Sequence, residues 1–157
     1  MMISDKGIEF IKSWEKFRNK AYLDQAKIWT IGYGTTRYFN GNSIKKEDII
    51  TKDDATIYLL SECDGIVSKL NLWLKYSTNQ NKFDALVSLA YNIGTQGFKT
   101  STLLRELNKD NEIIENYFTR WNKITLDGNL IPSSGLTRRR ISEWKLFSRD
   151  DYTGNKQ

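Results

Sequence analysis

Two acidic residues and a threonine in the N-terminal part of the chain are the first candidates for chemistry. Glu15, Asp24 and Thr30 follow one another within a short stretch, and such a set suits the hydrolysis of a glycosidic bond. In that reaction one carboxylic acid protonates the leaving oxygen, while a second carboxylate activates water or attacks the sugar. Because a proton donor must hold its proton near neutral pH, Glu15 would need apolar surroundings, which Trp14 and Phe17 could supply. The alternative is that Glu15 is a solvated helix-end residue and Asp24 a turn former.

A helix is predicted to carry Glu15. Ser4 is a favourable cap at the start of this helix, and Ile8, Ile11 and Trp14 recur at helical spacing, which indicates a buried stripe. Glu15 stands at the end of that stripe. The sequence therefore predicts that the candidate acid projects from the end of a packed helix.

A small antiparallel sheet is predicted to carry the other two residues. Three segments are rich in aromatic and β-branched side chains and are separated by turn-forming residues: 21–24, 28–34 and 37–39. Asn40 and Gly41 form a strong turn dipeptide after the third segment. This arrangement places Asp24 between two strands and Thr30 in the middle of the second.

From Thr51 the pattern predicts helix almost to the end of the chain. Thr51 with Asp54 resembles a capping box. Apolar residues recur through residues 83–91 at the spacing of a core helix, and Gly94 would end that helix. Three shorter helices are predicted after it: 101–108, 112–121 and 136–147. Residues 153–157 are polar and are expected to be loose.

The predicted fold class is α+β, in a single domain that spans residues 1–157. It has a small N-terminal lobe with a short antiparallel sheet, a connecting helix and a helical C-terminal lobe, at about 1–50, 51–70 and 71–150 respectively. A cleft between two such lobes is a natural ligand site. We therefore expect the two carboxyl groups to face such a cleft.

The charge and the missing residue types exclude several kinds of protein. Lysine and arginine number 24 against 19 acidic residues, and a net charge of +5 favours approach to anionic polymers. The absence of histidine excludes a Ser-His-Asp or Cys-His site and an imidazole-bound zinc. The single cysteine, Cys63, allows no intrachain disulfide and is predicted to be a buried free thiol. No metal and no cofactor are expected.

The stretch from Glu15 to Gly34 resembles the catalytic stretch of the phage-type lysozymes, glycoside hydrolase family 24. Its matching residues are Glu15, Asp24 and Thr30, followed by the run Ile-Gly-Tyr-Gly at 31–34. Further motifs resemble the family in the same order along the chain, at 84–88, 91–94, 98–108 and Trp121, and in the pattern Gly-Leu-x-x-Arg-Arg-x-x-Glu at 135–143. The resemblance covers about residues 7–147 and implies a lysozyme-like fold.

The resemblance also implies a reaction and roles for individual residues. The reaction would be hydrolysis of the β-1,4 bond from N-acetylmuramic acid to N-acetylglucosamine in bacterial peptidoglycan, with inversion at the sugar. Glu15 would be the general acid, Asp24 would support the developing positive charge and activate water, and Thr30 would help to hold that water. Asn92 and Tyr91 match substrate-contacting positions of the family, although Tyr91 also fits the apolar stripe of its helix.

Glycines in the same stretch are positions where another group could approach the backbone closely. Gly34 is predicted to bind substrate, because a strand glycine allows another backbone or a sugar to approach closely. The sequence departs from the family at Lys16 and Lys27, where glycine is common, and at Thr35, where histidine is common. These departures remove no catalytic group but leave the local turn conformation open.

The implied biological setting is that of a phage endolysin acting on bacterial peptidoglycan. No segment is apolar enough to span a membrane, and charged residues interrupt residues 1–17, so neither a signal peptide nor stable membrane association is predicted. The protein would wait in the host cytoplasm, as a monomer, until a holin gives it access to the wall. Nucleic acid is not an expected partner, because Arg139 and Arg140 can pair with Glu143 on one helix.

Two alternatives remain open at this point. A lytic transglycosylase would act on the same polymer with the acid alone, and the spacing of Asp24 and Thr30 argues against it. A non-catalytic or virion-associated wall-binding module would be expected to have lost Glu15 or Asp24, and the chain retains both.

Overall fold

The computed structural model describes residues 1–156 and is built from seven helices and four short strands in that range. In chain order they are α1 (Asp5–Glu15), β1 (Arg18–Leu23), β2 (Trp29–Gly32), α2 (Lys52–Trp73), α3 (Gln80–Ile93), α4 (Thr95–Lys99), α5 (Thr102–Leu107), α6 (Asn116–Thr119), β3 (Lys123–Leu126), β4 (Asn129–Pro132) and α7 (Ser134–Arg149). The predicted α+β class is confirmed. We call residues 1–50 the N-lobe and residues 74–156 the C-lobe, with α2 between them.

Helix caps explain where the main helices begin. The Ser4 hydroxyl accepts a hydrogen bond from the Gly7 N–H at 3.0 Å, at the start of α1. The Thr51 hydroxyl accepts from the Asp54 N–H at 3.1 Å, at the start of α2. Each cap satisfies an N–H that has no partner within its helix. The two starts predicted from the sequence are therefore present, and α1 ends at Glu15 as predicted.

Helix α3 forms the centre of the C-lobe. All residues from Phe83 to Ala90 are buried, and the helix packs against α1, α2 and α7. Two of these buried residues, Asp84 and Ser88, are polar, and both are hydrogen-bonded. The predicted core helix at 83–91 thus lies inside α3.

Both ends of the described chain are tied to the buried carboxylate of Asp84. This carboxylate accepts hydrogen bonds from the N–H and hydroxyl of Ser4, from the Gln80 amide and from the Tyr152 hydroxyl. Beyond Tyr152, the Asn155 N–H donates to the hydroxyl of Ser13 in α1 at 3.0 Å. The expectation of a loose tail is therefore wrong for residues 153–155, while Gln157 lies outside the described residues.

The N-lobe sheet is a two-stranded hairpin rather than three strands. Strand β1 pairs with β2 in antiparallel register, with Tyr22 opposite Thr30. The predicted strand at 37–39 is wrong, because only an isolated bridge joins Arg37 to Ser43 there. The segment is instead held by turns, including the bond from the Tyr38 N–H to the Asn42 carbonyl at 2.9 Å.

The prediction that the chain is helical from Thr51 almost to its end is wrong, because a second hairpin, β3–β4, lies in this part of the chain. Its turn is Asp127-Gly128, and both residues have positive φ, 47° and 78°. This is the backbone that a two-residue hairpin turn requires. The predicted helix at 112–121 is correspondingly short, since only Asn116–Thr119 is helical. No helix within residues 1–156 is both long and apolar enough to cross a membrane.

Candidate active site

A cleft of about 880 Å³ brings together most of the residues singled out from the sequence. Glu15, Asp24, Thr30 and Gly34 line it from the N-lobe, and Asn92 lines it from the C-lobe. A smaller cavity of about 460 Å³, next to Trp144, contains none of them. The larger cleft is therefore the candidate active site.

Glu15 is mostly enclosed at the end of α1 and meets a charged partner. Its side chain is 17% exposed, and its Oε1 accepts a hydrogen bond from Arg139 Nη1 at 2.5 Å. The apolar residues expected beside it have other contacts. Phe17 packs against Tyr33, with ring centroids 5.6 Å apart, and Trp14 lines a separate cavity. The direct polar contact of Glu15 is thus a guanidinium, which the sequence analysis did not anticipate.

Arg139 links Glu15 to a buried cluster on α7. Arg139 Nε donates to Glu143 Oε1 at 3.1 Å, and Arg140 and Ser88 donate to the same oxygen at 3.0 and 2.7 Å. Burial alone would lower the pKa of Arg139, but the carboxylates of Glu15 and Glu143 raise it by more, so it lies above its ordinary value. The pKa of Arg140 is lowered, chiefly by burial. Arg139 is therefore a fixed cation that holds one oxygen of Glu15.

Asp24 is held at the turn of the N-lobe hairpin. Its Oδ1 accepts the Ile28 N–H at 2.9 Å, and its own N–H donates to the Ile28 carbonyl at 3.0 Å. The same carbonyl accepts the Thr30 hydroxyl at 3.0 Å. Lys27, inside the turn, has a φ of 58°. Hydrogen bonds across the turn thus fix Asp24 and Thr30 relative to each other.

Tyr22 lines the cleft together with both acids, and the pKa of its phenol is raised. Burial raises the pKa of the Tyr22 phenol, the Arg18 guanidinium lowers it, and the negative charges of Glu15 and Asp24 raise it further. The net direction is upward from 10.0. Tyr22, Glu15 and Asp24 all line the cleft.

Gly34 leaves open the space in front of the other oxygen of Glu15. Its φ is 99°, a backbone conformation that favours glycine. A Cβ at this position would lie 3.8 Å from Glu15 Oε2 and 4.0 Å from the Tyr91 hydroxyl. Any larger side chain would fill that space. Oε2 therefore faces Gly34, while Oε1 faces Arg139.

Tyr91 lies beside the cleft rather than among its lining residues. Its hydroxyl donates to the Tyr33 carbonyl at 2.8 Å, which joins α3 to the N-lobe. Its ring lines a neighbouring groove together with Glu62. Burial raises the pKa of the Tyr91 phenol, and the nearby charges of Glu62 and Glu15 raise it further. Tyr91 thus acts as a structural link between the two lobes, next to Gly34.

Comparison with known proteins identifies the family to which this chain belongs. The sequence model of the family described as Phage lysozyme matches residues 12–143. The chain belongs to the phage lysozyme family. The endolysin of Acyrthosiphon pisum secondary endosymbiont phage 1 is 39% identical over 148 residues, which cover 94% of this chain and 98% of that protein. The family recognised from the motifs is therefore confirmed.

Solved structures of similar proteins show the same fold. The endolysin from Escherichia coli O157:H7 phage FAHEc1 matches with a TM-score of 0.91 at 38% identity, covering 97% of this chain and 96% of that one. The muramidase domain of SpmX from Asticaccaulis excentricus matches with a TM-score of 0.82 at 33% identity, covering 93% and 97%. The lysozyme-like fold expected from the resemblance is confirmed.

Several residues of this phage lysozyme cleft escaped the sequence analysis. The sequence predicts that Arg139 can pair with Glu143, and in the structure Arg139 also reaches Glu15, 124 positions away. The C-lobe wall of the cleft is formed in part by Arg120, Lys123 and Leu130, around the second hairpin. The Asp-Gly dipeptide at 127–128 between β-rich segments is the signal that could have revealed this hairpin.

Two departures from the family occur where the backbone is unusual. Lys16 and Lys27 have φ values of 52° and 58°, in the region that glycine enters most readily. Lys16 follows Glu15 directly, and Lys27 follows Asp24 in the hairpin turn. Both lysines therefore adopt a conformation that glycine would favour.

Proposed function

We propose that this chain is a muramidase, a glycoside hydrolase that cleaves the β-1,4 bond from N-acetylmuramic acid to N-acetylglucosamine in bacterial peptidoglycan. The observation that carries the proposal is that Glu15, Asp24 and Thr30 line one interlobe cleft. The family membership and the similarity to endolysins support it. In this setting the protein would serve as a phage endolysin and reach the wall after holin-mediated release.

Glu15 is the proposed proton donor. Arg139 occupies Oε1, so the proton would lie on Oε2, which faces the open space beside Gly34. A glycosidic oxygen placed there would receive that proton as the bond breaks. Arg139 would then stabilise the carboxylate that remains. The guanidinium therefore has a positioning role, since it fixes which oxygen of Glu15 faces the substrate.

Asp24 and Thr30 are proposed to handle the water. The Asp24 carboxylate has one oxygen held by the Ile28 N–H, which leaves the other to accept a proton from water or to support the positive charge that develops on the sugar. Thr30 stands beside it through the shared Ile28 carbonyl. Its hydroxyl donates to that carbonyl, so its lone pairs remain available to a water molecule. Activation of water by Asp24, rather than attack on the sugar, would give inversion.

Activity measurements on two isosteric variants test the assignment. Glu15→Gln is expected to lower the rate of clearing of permeabilised Gram-negative cells by at least about 10³-fold, because an amide cannot donate the proton. Asp24→Asn is expected to cost at least about 10²-fold. Glu47→Gln makes the same change at an exposed position outside the cleft lining, serves as the matched control and is expected to keep the wild-type rate. Wild-type clearing by Glu15→Gln would show that the acid is assigned wrongly.

Product analysis tests the reaction itself. Hydrolysis gives a reducing N-acetylmuramic acid end, whereas a lytic transglycosylase gives a 1,6-anhydro end. Mass spectrometry of released muropeptides separates the two, and NMR of the first-formed anomer tests inversion. Anhydro products, or full activity of Asp24→Asn, would replace the muramidase proposal with the transglycosylase. Binding to wall fragments without any released product would favour a wall-binding module.

A further inference from the structure

The cavity of about 460 Å³ in the C-lobe is separate from the cleft. Among the described residues, the two have no lining residue in common. Helices α3 and α7 each line the cleft near one end and this cavity near the other, and ten residues of helix span about 15 Å. We call it the accessory cavity; its lining includes the aromatic residues Tyr76, Trp144 and Phe147 and the polar residues Asn79, Lys82 and Glu112.

Aromatic rings supply much of the apolar surface of the accessory cavity. The ring of Trp144 stacks on that of Phe147, with centroids 5.9 Å apart and an interplanar angle of 17°, and also packs against Phe118. Tyr76, from the segment between α2 and α3, lines the same cavity and is 56% exposed. Such rings combine an apolar face with a polar tip. The face can pack against the C–H groups of a pyranose ring.

The polar groups of the accessory cavity include several without a charged partner. The side chain of Asn79 precedes α3 without making a capping hydrogen bond. Within residues 1–156, Lys82, Asp110 and Glu112 have no salt bridge. One cation and two carboxylates give this lining no positive excess that would attract a polyanion. Donors and acceptors beside aromatic faces instead suit an uncharged ligand rich in hydroxyl groups.

Two asparagine side chains fix the walls of the accessory cavity. Asn108 donates to the Trp73 carbonyl at 2.8 Å and accepts the Lys75 N–H at 2.9 Å, which joins the end of α5 to the end of α2. Asn81 donates to two carbonyls near the end of α7, at 3.0 and 3.1 Å, which joins α7 to α3. A cavity with walls fixed in advance loses little conformational freedom when it binds a ligand.

We propose that the accessory cavity binds an N-acetylhexosamine unit of a wall glycan outside the cleft. The inference rests on the proposed function for the identity of the polymer. An N-acetylhexosamine has an apolar ring face, which matches Tyr76 and Trp144, and hydroxyl and amide groups, which match Asn79, Asp110 and Glu112. A second point of attachment raises the effective concentration of glycan near the cleft. The accessory cavity would thus hold the protein on an insoluble wall while the cleft acts.

A binding titration on an inactive form tests the proposal. The ¹⁵N-labelled Glu15→Gln protein is titrated with tri-N-acetylchitotriose and followed by NMR. We expect the amide signals of residues 76–79 and the indole signal of Trp144 to shift, in addition to signals of the cleft such as Asn92. Adding Tyr76→Ala/Glu112→Gln is expected to weaken binding at the accessory cavity about tenfold, through the lost ring contact and hydrogen bond, and to leave binding in the cleft unchanged.

A matched double variant controls for the loss of an exposed ring and a negative charge. Phe39→Ala/Glu47→Gln makes these changes at exposed positions that line neither the cleft nor the accessory cavity and is expected to leave both affinities unchanged. Absence of shifts at residues 76–79 and Trp144, or equal weakening by the control, would overturn the inference. Shifts there with a free wall tetrapeptide but not with the sugar would overturn it in favour of a peptide site.

Kinetics with Glu15 restored test the role in attachment. Tyr76→Ala/Glu112→Gln is expected to raise KM on insoluble walls about tenfold and to keep kcat/KM on short soluble glycan within about twofold of wild type. An unchanged KM on insoluble walls would overturn the attachment role. Failure of the wild-type protein to cleave either substrate would instead overturn the proposed function, because the NMR titration reads the accessory cavity separately.

Discussion

Two fully buried carboxylates in the C-lobe are stabilised in different ways. Asp84 on α3 accepts hydrogen bonds from four donors on Ser4, Gln80 and Tyr152, all of them uncharged. Glu143 on α7 meets two arginine side chains and one hydroxyl. Both solutions avoid an unsatisfied buried charge, which would be costly. Neutral donors are therefore sufficient where a carboxylate only has to join parts of the fold.

The residues that bind Asp84 and those that bind Glu143 have different roles in the structure. The donors to Asp84 come from the start of α1, from α3 itself and from the segment after α7, so this cluster fastens the chain ends to the core. Arg139, by contrast, contacts Glu143 with Nε and Glu15 with Nη1. The Glu143 cluster thus orients the group that fixes the candidate acid. We infer that ion pairs occur where the carboxylate must also set the geometry of the cleft.

Removing the negative charge is expected to lower the free energy of unfolding more at Glu143 than at Asp84, and this is the largest difference that we predict between the two sites. Glu143→Gln leaves two buried guanidinium groups without their shared carboxylate and is expected to lower the free energy of unfolding by about 3–5 kcal/mol. Asp84→Asn keeps the shape and part of the hydrogen bonding and is expected to cost about 1–3 kcal/mol. Urea denaturation of both variants measures the difference. Equal costs would show that the charge of the partners is unimportant.

The values of kcat for Glu143→Gln and Asp84→Asn are also expected to differ. At a temperature where both are folded, Glu143→Gln is expected to lower kcat about tenfold or more, because Arg139 loses one of the two carboxylates that position it. Asp84→Asn is expected to keep kcat within about twofold, since its partners do not reach the cleft. Circular dichroism in the assay buffer confirms that each variant is folded. A tenfold loss of kcat in Asp84→Asn would contradict the division of roles.

Removal of one neutral donor from Asp84 is expected to have an intermediate effect that depends on pH. Tyr152→Phe should lower the free energy of unfolding by about 1–2 kcal/mol. Burial and the hydrogen bond to Asp84 raise the pKa of the Tyr152 phenol above 10.0. Its stabilising effect is therefore complete below about pH 10 and declines as the pH rises further, because the unfolded phenol ionises first. The difference between wild type and variant should shrink between pH 10 and 11.

The smallest expected effect is the loss of the hydroxyl group that donates to Glu143 from Ser88. Ser88→Ala removes a hydroxyl bond of 2.7 Å but leaves both arginines in place, so we expect a cost of about 1 kcal/mol and little change in kcat. Thermal unfolding at neutral pH provides the measurement. A cost comparable to that of Glu143→Gln would indicate that the hydroxyl, rather than the ion pairs, carries the cluster.

Local sequence patterns predicted the longer helices and one face of the site. The caps at Ser4 and Thr51 and the apolar spacing of α3 are local features, and local hydrogen bonding and burial decided them. The hairpin turn that holds Asp24 was also recognisable from neighbouring residues. The i, i+3 and i, i+4 pairs of Arg140 and Arg139 with Glu143 follow from helix geometry alone, and both occur.

Features that depend on distant contacts were not predictable in the same way. No spacing rule joins Arg139 to Glu15 or Tyr152 to Asp84, since packing of the whole C-lobe brings them together. Strands β3 and β4 have only four residues each, too short for alternation to stand out from helical patterns, so the Asp-Gly turn at 127–128 is the local signal of this hairpin. Only the three-dimensional structure therefore shows that Arg120 and Lys123 form part of the C-lobe wall of the cleft.

The left-handed backbone at Lys16 and Lys27 identifies two positions for engineering a more heat-resistant protein. A lysine in this conformation is strained by its own Cβ, whereas glycine is not. Glycine at either site would relieve that strain at the cost of a more flexible unfolded chain, a net gain of up to about 1 kcal/mol. Both lysine side chains lie outside the lining of the cleft. Thermal tolerance could thus rise without altering any group proposed to take part in bond cleavage.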